Sequence, residues 1–253
     1  MKKTLTLLIC LICYQILCHA QVADEHYYFK NLSVQNGLSQ NTVNTILQDK
    51  QGFMWFGTKD GLNRYDGLSF RKFKHDDHSQ RSIGNNFITA LYEDEKGSIW
   101  VGTDVGLYIY YPEKDSFEHF TKQSVENTRI EHTVTAISGD NQGCVWMAVE
   151  SQGLFCYNRQ AKQIKHFTSA NSQLPEGNVY EVSFDSTGKG WIATETGMCI
   201  YDPASQSLRS NVFPEGFVHR DKVRTIYEDA EHNLYFIREK GSLFTSTLTM
   251  DRF

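Results

Sequence analysis

Glycines stand beside charges and an aromatic ring at a spacing that keeps returning. Asp49, Gly52 and Trp55 set an Asp-x-x-Gly-x-x-Trp pattern, repeated at Asp94/Gly97/Trp100, Asp140/Gly143/Trp146 and Asp185/Gly188/Trp191. A fifth copy has His232 for Gly and Tyr235 for Trp. Such a group could be a ligand loop or the turns of a sheet. Outside the pattern, His75-Asp76-Asp77-His78 gathers imidazoles and carboxylates, the donor types that hold zinc or another divalent ion. Tyr108, Tyr110, Tyr111 and Phe155 could stack on sugar rings. No Ser/His/Asp or Cys/His arrangement forms a distinctive local motif. No glycine-rich phosphate loop leads into a helix.

Repetition decides between site and scaffold. Homologous units start at Val43, Ile88, Val134, Val179 and Val223. Their anchor aromatics, Trp55, Trp100, Trp146, Trp191 and Tyr235, stand 45, 46, 45 and 44 residues apart. A feature present in every unit is structural by default: the glycines permit turns and the Trp packs between sheets. His119 and His166 are likewise repeat positions, and the repeat positions of the four aromatics make packing their role.

Each unit reads as strands and turns. Val43, Thr45 and Leu47 alternate with polar neighbours, Asp49-Lys50-Gln51-Gly52 makes a tight turn, and Phe53 to Thr58 forms a second strand. A turn at Lys59-Asp60-Gly61 leads to a third strand, Leu62 to Tyr65. An outer strand ends each unit in an apolar pair: Phe70/Phe73, Phe117/Phe120, Ile164/Phe167 and, last, Met250/Phe253. Four strands in ~45 residues match a propeller blade, and no 3.6-residue periodicity supports an α-solenoid. The expected fold is an all-β propeller of about five four-stranded blades, with cores at about 41–73, 86–120, 133–167, 178–213 and 222–253. Phe29 precedes Val43 by the same 14 residues that separate Phe120 from Val134, so 27–34 is expected to be an orphan outer strand.

The first 20 residues stand apart. Lys2 and Lys3 precede the apolar run Leu5 to Leu17, and Cys18-His19-Ala20 offers small residues for cleavage. This reads as a signal peptide cleaved after Ala20, so the domain expected at 21–253 is periplasmic or secreted. No later apolar run has membrane-spanning length, so no membrane span is expected in the mature chain. The net charge of −5 gives no reason to expect nucleic acid as a partner. Beyond the leader, Cys144, Cys156 and Cys199 are odd in number and irregularly spaced, neither a disulfide framework nor a zinc pattern. Alternation points Cys156 and Cys199 to opposite faces of their own blades, and all three thiols are expected to be unpaired.

The stretch NGLSQNTVNTILQDKQGFMWFGTKDGLNRYDGLSF, Asn36 to Phe70, resembles the opening of the two-component regulator propeller family. The resemblance covers essentially the whole chain after the leader. It weakens at Met147-Ala148-Val149 and over Tyr235 to Arg238. It implies the periplasmic sensor region of a Bacteroides-type hybrid two-component system. Full-length members carry two seven-bladed propellers, an immunoglobulin-like domain, a membrane helix, a histidine kinase, a receiver and often a helix-turn-helix. They sense oligosaccharides and switch on polysaccharide-utilisation genes. Against that plan the chain reads as an N-terminal fragment, an open part of a seven-bladed ring that lacks kinase and DNA-binding parts.

The expected function is therefore a non-catalytic, glycan-sensing propeller with no catalytic, cofactor or metal residue. The partners expected are an oligosaccharide, missing blades or partner domains, and further copies of the chain through exposed blade faces. Candidate binding loops are Lys74 to Asn85, Thr121 to His132 and Thr168 to Asn178, none with a motif that names the ligand. His75 to His78 reads as a solvated polar loop, because no further ligand is evident. One alternative is a secreted propeller lyase or glycosidase, since the Asp turns superficially resemble sialidase Asp boxes. A glycosidase needs two convergent carboxylates or a Tyr nucleophile, and the acids here sit mostly in repeated turns. A purely structural interaction module is the other alternative.

Overall fold

The computed structural model describes residues 28–120, 130–210 and 222–238, with the backbone of 243–247. The leader at 1–20, most of the loop from Thr121 to His132, and the expected outer strand at Met250 and Phe253 lie outside the described residues. The chain divides into two compact units, Met1–Leu32 and Ser33–Phe253. In the first, residues 28–32 have no regular secondary structure.

The orphan strand expected over 27–34 is corrected: none of its described residues, 28–34, is in a strand. The second unit opens instead on a 3-10 turn, Val34–Asn36, capped by Ser33. Ser33 Oγ accepts the Gln35 N–H at 3.3 Å, and Asn36 Oδ1 accepts the Ser33 N–H at 3.0 Å. Side chains that satisfy the backbone locally compete with an extended strand.

Five antiparallel sheets follow in chain order. Blade 1 is β1 (Val43–Gln48), β2 (Met54–Thr58), β3 (Gly61–Tyr65) and β4 (Phe70–Phe73). Blade 2 is β5 (Ile88–Glu93), β6 (Ile99–Thr103), β7 (Leu107–Tyr111) and β8 (Ser116–His119). Blade 3 is β9 (Val134–Gly139), β10 (Cys144–Val149), β11 (Gly153–Asn158) and β12 (Gln163–Phe167). Blade 4 is β13 (Val179–Phe184), β14 (Gly190–Thr194), β15 (Gly197–Asp202) and β16 (Ser207–Ser210). Blade 5 shows β17 (Val223–Glu228), β18 (Asn233–Arg238) and β19 (Leu243–Thr247). The inner strands β1, β5, β9, β13 and β17 lie side by side in that order. Among the described residues, no contact of like extent joins β17 to β1.

The recurrent residues explain how one blade is built. Each Asp folds its turn by accepting backbone N–H groups on Oδ1, as Asp94 does from Lys96 at 2.8 Å and Ser98 at 3.1 Å. Its Oδ2 then accepts the indole N–H of the Trp six residues on, at 2.7 to 2.9 Å in blades 1 to 4. In blade 5 the Tyr235 hydroxyl takes that place, 2.8 Å from Asp229. The Thr that ends the second strand bonds the turn below it, Thr58 Oγ1 donating to Gly61 O at 2.8 Å. Blade 3 has Val149 there, and Gln152 N–H donates to the Val149 carbonyl instead.

Neighbouring blades are joined by repeated contacts. Every inner strand carries one β-bulge against its second strand, and it leaves Asn44, Thr89, Thr135, Tyr180 or Arg224 outside the ladder. Asn44 Nδ2, Thr89 Oγ1 and Thr135 Oγ1 then donate to the next blade's Ile88, Val134 and Val179 carbonyls at 2.8, 2.6 and 2.8 Å. Tyr180 breaks the series; its ring packs under Arg224, 4.4 Å from the guanidinium carbon. Each Trp faces the following blade: Trp100 shares a core with Val134, Val145 and Met147, and Trp191 with Val223, Leu234 and Phe236. A small residue follows two places on. A Cβ on Gly57 would stand 2.6 Å from Ile88 Cγ2, so the sheets approach there without one.

Blade 1 differs on its leading face. Ile137, Val182 and Ile226 are buried against the preceding blade, whereas Ile46 in the same position is 57% exposed. Phe56 is half-buried where Val101, Met147, Ile192 and Phe236 are buried.

Candidate functional site

Departures from the repeat mark where a site can form, and among the described residues the loop between blades 3 and 4 is one of them. Ser172 Oγ donates to the Thr168 carbonyl at 2.6 Å, and Asn171 Nδ2 to the His166 carbonyl at 2.9 Å. Leu174 drops from this loop into the seam and is buried. The loop thus stands up as a wall with a hollow on either side. One hollow, about 630 Å³, lies against β16 over Phe167 and Leu208. Its rim carries Asn171, Gln173, Gln206, Ser207 and Arg209. The other, about 260 Å³, lies towards the turn at Ser151 to Gly153.

The larger hollow is held by its own polar contacts. Lys165 Nζ donates to Gln206 Oε1 at 2.6 Å, and Gln173 Oε1 accepts the Ser210 N–H at 3.4 Å. Arg209 Nη2 meets Asp202 Oδ2 at 3.0 Å. The backbone N–H of Ala204 holds the Asp202 carboxyl below its usual range, with lesser help from Ser205 and Arg209. Amides, hydroxyls and one guanidinium over an apolar floor can hydrogen-bond a polar, uncharged or anionic ligand. Among the described residues, no carboxylate lines this hollow.

The family described as two component regulator propeller matches residues 37–60 and 82–105. Two stretches of the chain thus match two-component regulator propeller repeats. A histidine kinase, P4, of Formosa agariphila is 40% identical over 60 residues, which are 24% of this chain and 4% of the kinase. The extracellular domain of a hybrid two-component system from B. thetaiotaomicron is 27% identical with a TM-score of 0.76, over 89% of this chain and 31% of that one. Virginiamycin B lyase from Staphylococcus aureus shares the fold at 12% identity and a TM-score of 0.61, over 87% of this chain and 73% of the lyase. The propeller repeats here therefore span about a third of the extracellular domain they resemble.

The residues singled out in the sequence have definite places in these repeats. His75 Nδ1 faces the Ile83 carbonyl at 2.9 Å and Nε2 faces Asp77 Oδ1 at 2.8 Å. The Ile83 carbonyl raises the His75 pKa, and Asp77 adds to it. Asp76 Oδ1 accepts the His78 N–H at 2.9 Å, so the run is a self-bonded loop. Tyr110 is buried against Trp55, Phe73 and Phe117, and burial, with its bond to Asp115, pushes its hydroxyl up to about 12. Phe155 is buried and stacks on His166 at 4.1 Å; Tyr108 packs on His119 at 4.7 Å. Of the candidate loops, Lys74 to Asn85 folds into the seam between blades 1 and 2 through Ile83, and Thr168 to Asn178 frames the hollows.

Two features escaped the sequence reading. The loop aliphatics Ile83, Ile130 and Leu174 are seam plugs, four to five residues before the next inner strand. That nearly constant offset was a signal, hidden by unequal loops. Arg209 and Gln206 at the rim had none, since exposed polar residues in an outer strand and the turn before it look like any solvated edge.

Proposed function

We propose that the chain is the ligand-binding, non-catalytic part of an exported sensor, and that its ligand is an oligosaccharide. The hollow of about 630 Å³ beside the Thr168–Asn178 loop carries this reading. That volume is in the range of small-ligand sites, roughly 300–1,000 Å³. Amides both donate and accept, as sugar hydroxyls do, and half-buried Phe167 offers apolar surface for a ring face. Hydrolysis of a glycoside calls for two facing carboxylates, and the rim described here carries none. The likeness to the extracellular part of a hybrid two-component system supports a signalling role, with occupancy passed to a histidine kinase.

The test is a thermal-shift screen of neutral and acidic oligosaccharides, followed by calorimetry on any that raise the melting temperature. Binding should be lost in Arg209→Ala while the unliganded melting temperature stays put. Turnover of any glycan by the purified chain would overturn the non-catalytic reading. Export is part of the same proposal. Mass spectrometry of periplasmic material should find a mature terminus at Gln21, and a product retaining Lys2 and Lys3 would refute it.

A further inference from the structure

Blade 3 alone carries two thiols on one face. Cys144 occupies the position of Phe53, Ser98, Lys189 and Asn233 in the other blades, and Cys156 that of Arg64, Ile109 and Ile200. These two positions touch across the strands: in blade 1 the Arg64 guanidinium lies 4.5 Å from the Phe53 ring centre. In blade 3 the register pairs Cys144 with Asn158 and Trp146 with Cys156, which sets the thiols diagonally opposite. Both are buried. The repeated Asp adds a third donor, for Asp140, Cys144 and Cys156 present ligand atoms all within 4.8 Å of one another.

The carboxylate is fixed before any ligand arrives. Asp140 Oδ1 accepts the Gln142 and Cys144 N–H groups at 2.9 and 2.8 Å, and Oδ2 accepts the Trp146 indole at 2.9 Å. Oδ1 uses both of its lone-pair sites in these bonds, and Oδ2 keeps one for a ligand. A cavity of about 120 Å³ adjoins the cluster and is lined by Asp140, Gly143 and Cys144, with Asp94 and Arg159 across it. It lies at the seam where Gly139 replaces a carboxylate: Glu93 and Glu228, at the same position, accept the preceding blade's turn N–H at 2.8 Å. The cavity has room for a water and brings solvent to Asp140 and Cys144, while Cys156 faces blade 4 on the other side of the sheet.

We propose that Asp140, Cys144 and Cys156 bind a zinc-class divalent cation as three of its four ligands, the fourth coming from solvent. Two thiolates select borderline and soft ions over magnesium or calcium, and zinc accepts sulfur and carboxylate together. On binding, each S–H bond breaks, its proton leaves to solvent, and a metal–sulfur bond forms; no electron is transferred. Three anionic ligands leave one net negative charge around a divalent ion. Lys165, paired in register with Cys156, offsets it. Both thiols must lose a proton to bind, so loading should weaken as pH falls.

The experiment titrates the reduced full chain with Cd(II) as a spectroscopic probe and Zn(II) as competitor. Expected are a thiolate-to-Cd(II) absorbance saturating at one ion per chain, its displacement by Zn(II), and release of about two protons per ion. Cys144→Ser and Cys156→Ser should each weaken binding by at least roughly 100-fold, and Cys199→Ser should leave it unchanged. Should either variant fail to fold, alkylation mapped by mass spectrometry on the unaltered chain serves instead. Zn(II) should then protect Cys144 and Cys156 and leave Cys199 as reactive as before. No absorbance, equal protection of Cys199, or a single free thiol on denaturation without reductant would overturn the site, the last by showing a Cys144–Cys156 disulfide.

Discussion

Asp94 accepts the indole N–H of Trp100 at 2.8 Å, and both side chains are buried. The bond couples the turn that ends one strand to the ring that fills the seam with the next blade. Asp94 also meets Arg159 of blade 3, whose guanidinium carbon lies 5.8 Å from the Trp100 ring centre. Asp94→Ala would strand the indole, the Lys96 and Ser98 N–H groups and the Arg159 charge. A cost of ~3–5 kcal/mol is expected, the range for breaking a buried pair. Urea denaturation measures it; a loss under ~0.5 kcal/mol would mean the carboxylate acts as a surface group.

Close approach of the sheets is the second point of leverage. Gly57 faces Ile88 with no room for a Cβ, so Gly57→Val should destabilise by ~1–3 kcal/mol through overpacking. Adding Ile88→Ala should return part of that loss. A double-mutant cycle should show a coupling of ~1 kcal/mol; strict additivity would mean the blades do not touch there.

Glu181 gives the fold a pH signature. It lies between blades 4 and 5, where Thr225 Oγ1 donates to it at 3.1 Å, and burial raises its carboxyl to about 7. A carboxyl raised on folding favours the protonated folded state. Its contribution is complete below the unfolded value of 4.5 and is lost as pH rises towards 7. Glu181→Gln should therefore stabilise the chain at pH 8 by ~2 kcal/mol and give no advantage at pH 4. Equal effects at both pH values in thermal melts would refute the shift.

Blade 1 should tolerate charge where blade 4 does not. Ile46 and Val182 share one repeat position, yet Ile46 is exposed and Val182 buried. Ile46→Glu is expected to change stability by less than ~0.5 kcal/mol, and Val182→Glu to cost more than ~3 kcal/mol. Light scattering on the Ile46→Glu variant also tests self-association through this face. A reduced particle mass is expected, and an unchanged oligomeric mass would place the contact elsewhere.

Blade number, strand order and turn positions were legible in the sequence because they are local. An Asp turn, a Gly at positive φ and alternating apolar residues act within a few positions, and repetition averages out the exceptions. The six-residue gap from Asp49 to Trp55 was visible too, although its meaning as a hydrogen bond needed coordinates. What only the tertiary structure decided concerns residues of different blades. Cys156 and Cys199 do point to opposite faces of their own sheets, yet those faces meet, and both thiols share one core with Cys144. The expected strand at Phe29 failed because a strand needs a partner edge, which length-counting does not supply. Ile83, Ile130 and Leu174 looked like loop residues until the seams they plug were formed. The hollow at Arg209 depends on where the unrepeated loop 168–178 stands against a neighbouring sheet. Such contacts follow from the rotation of one sheet on the next, which repeat spacing alone leaves open.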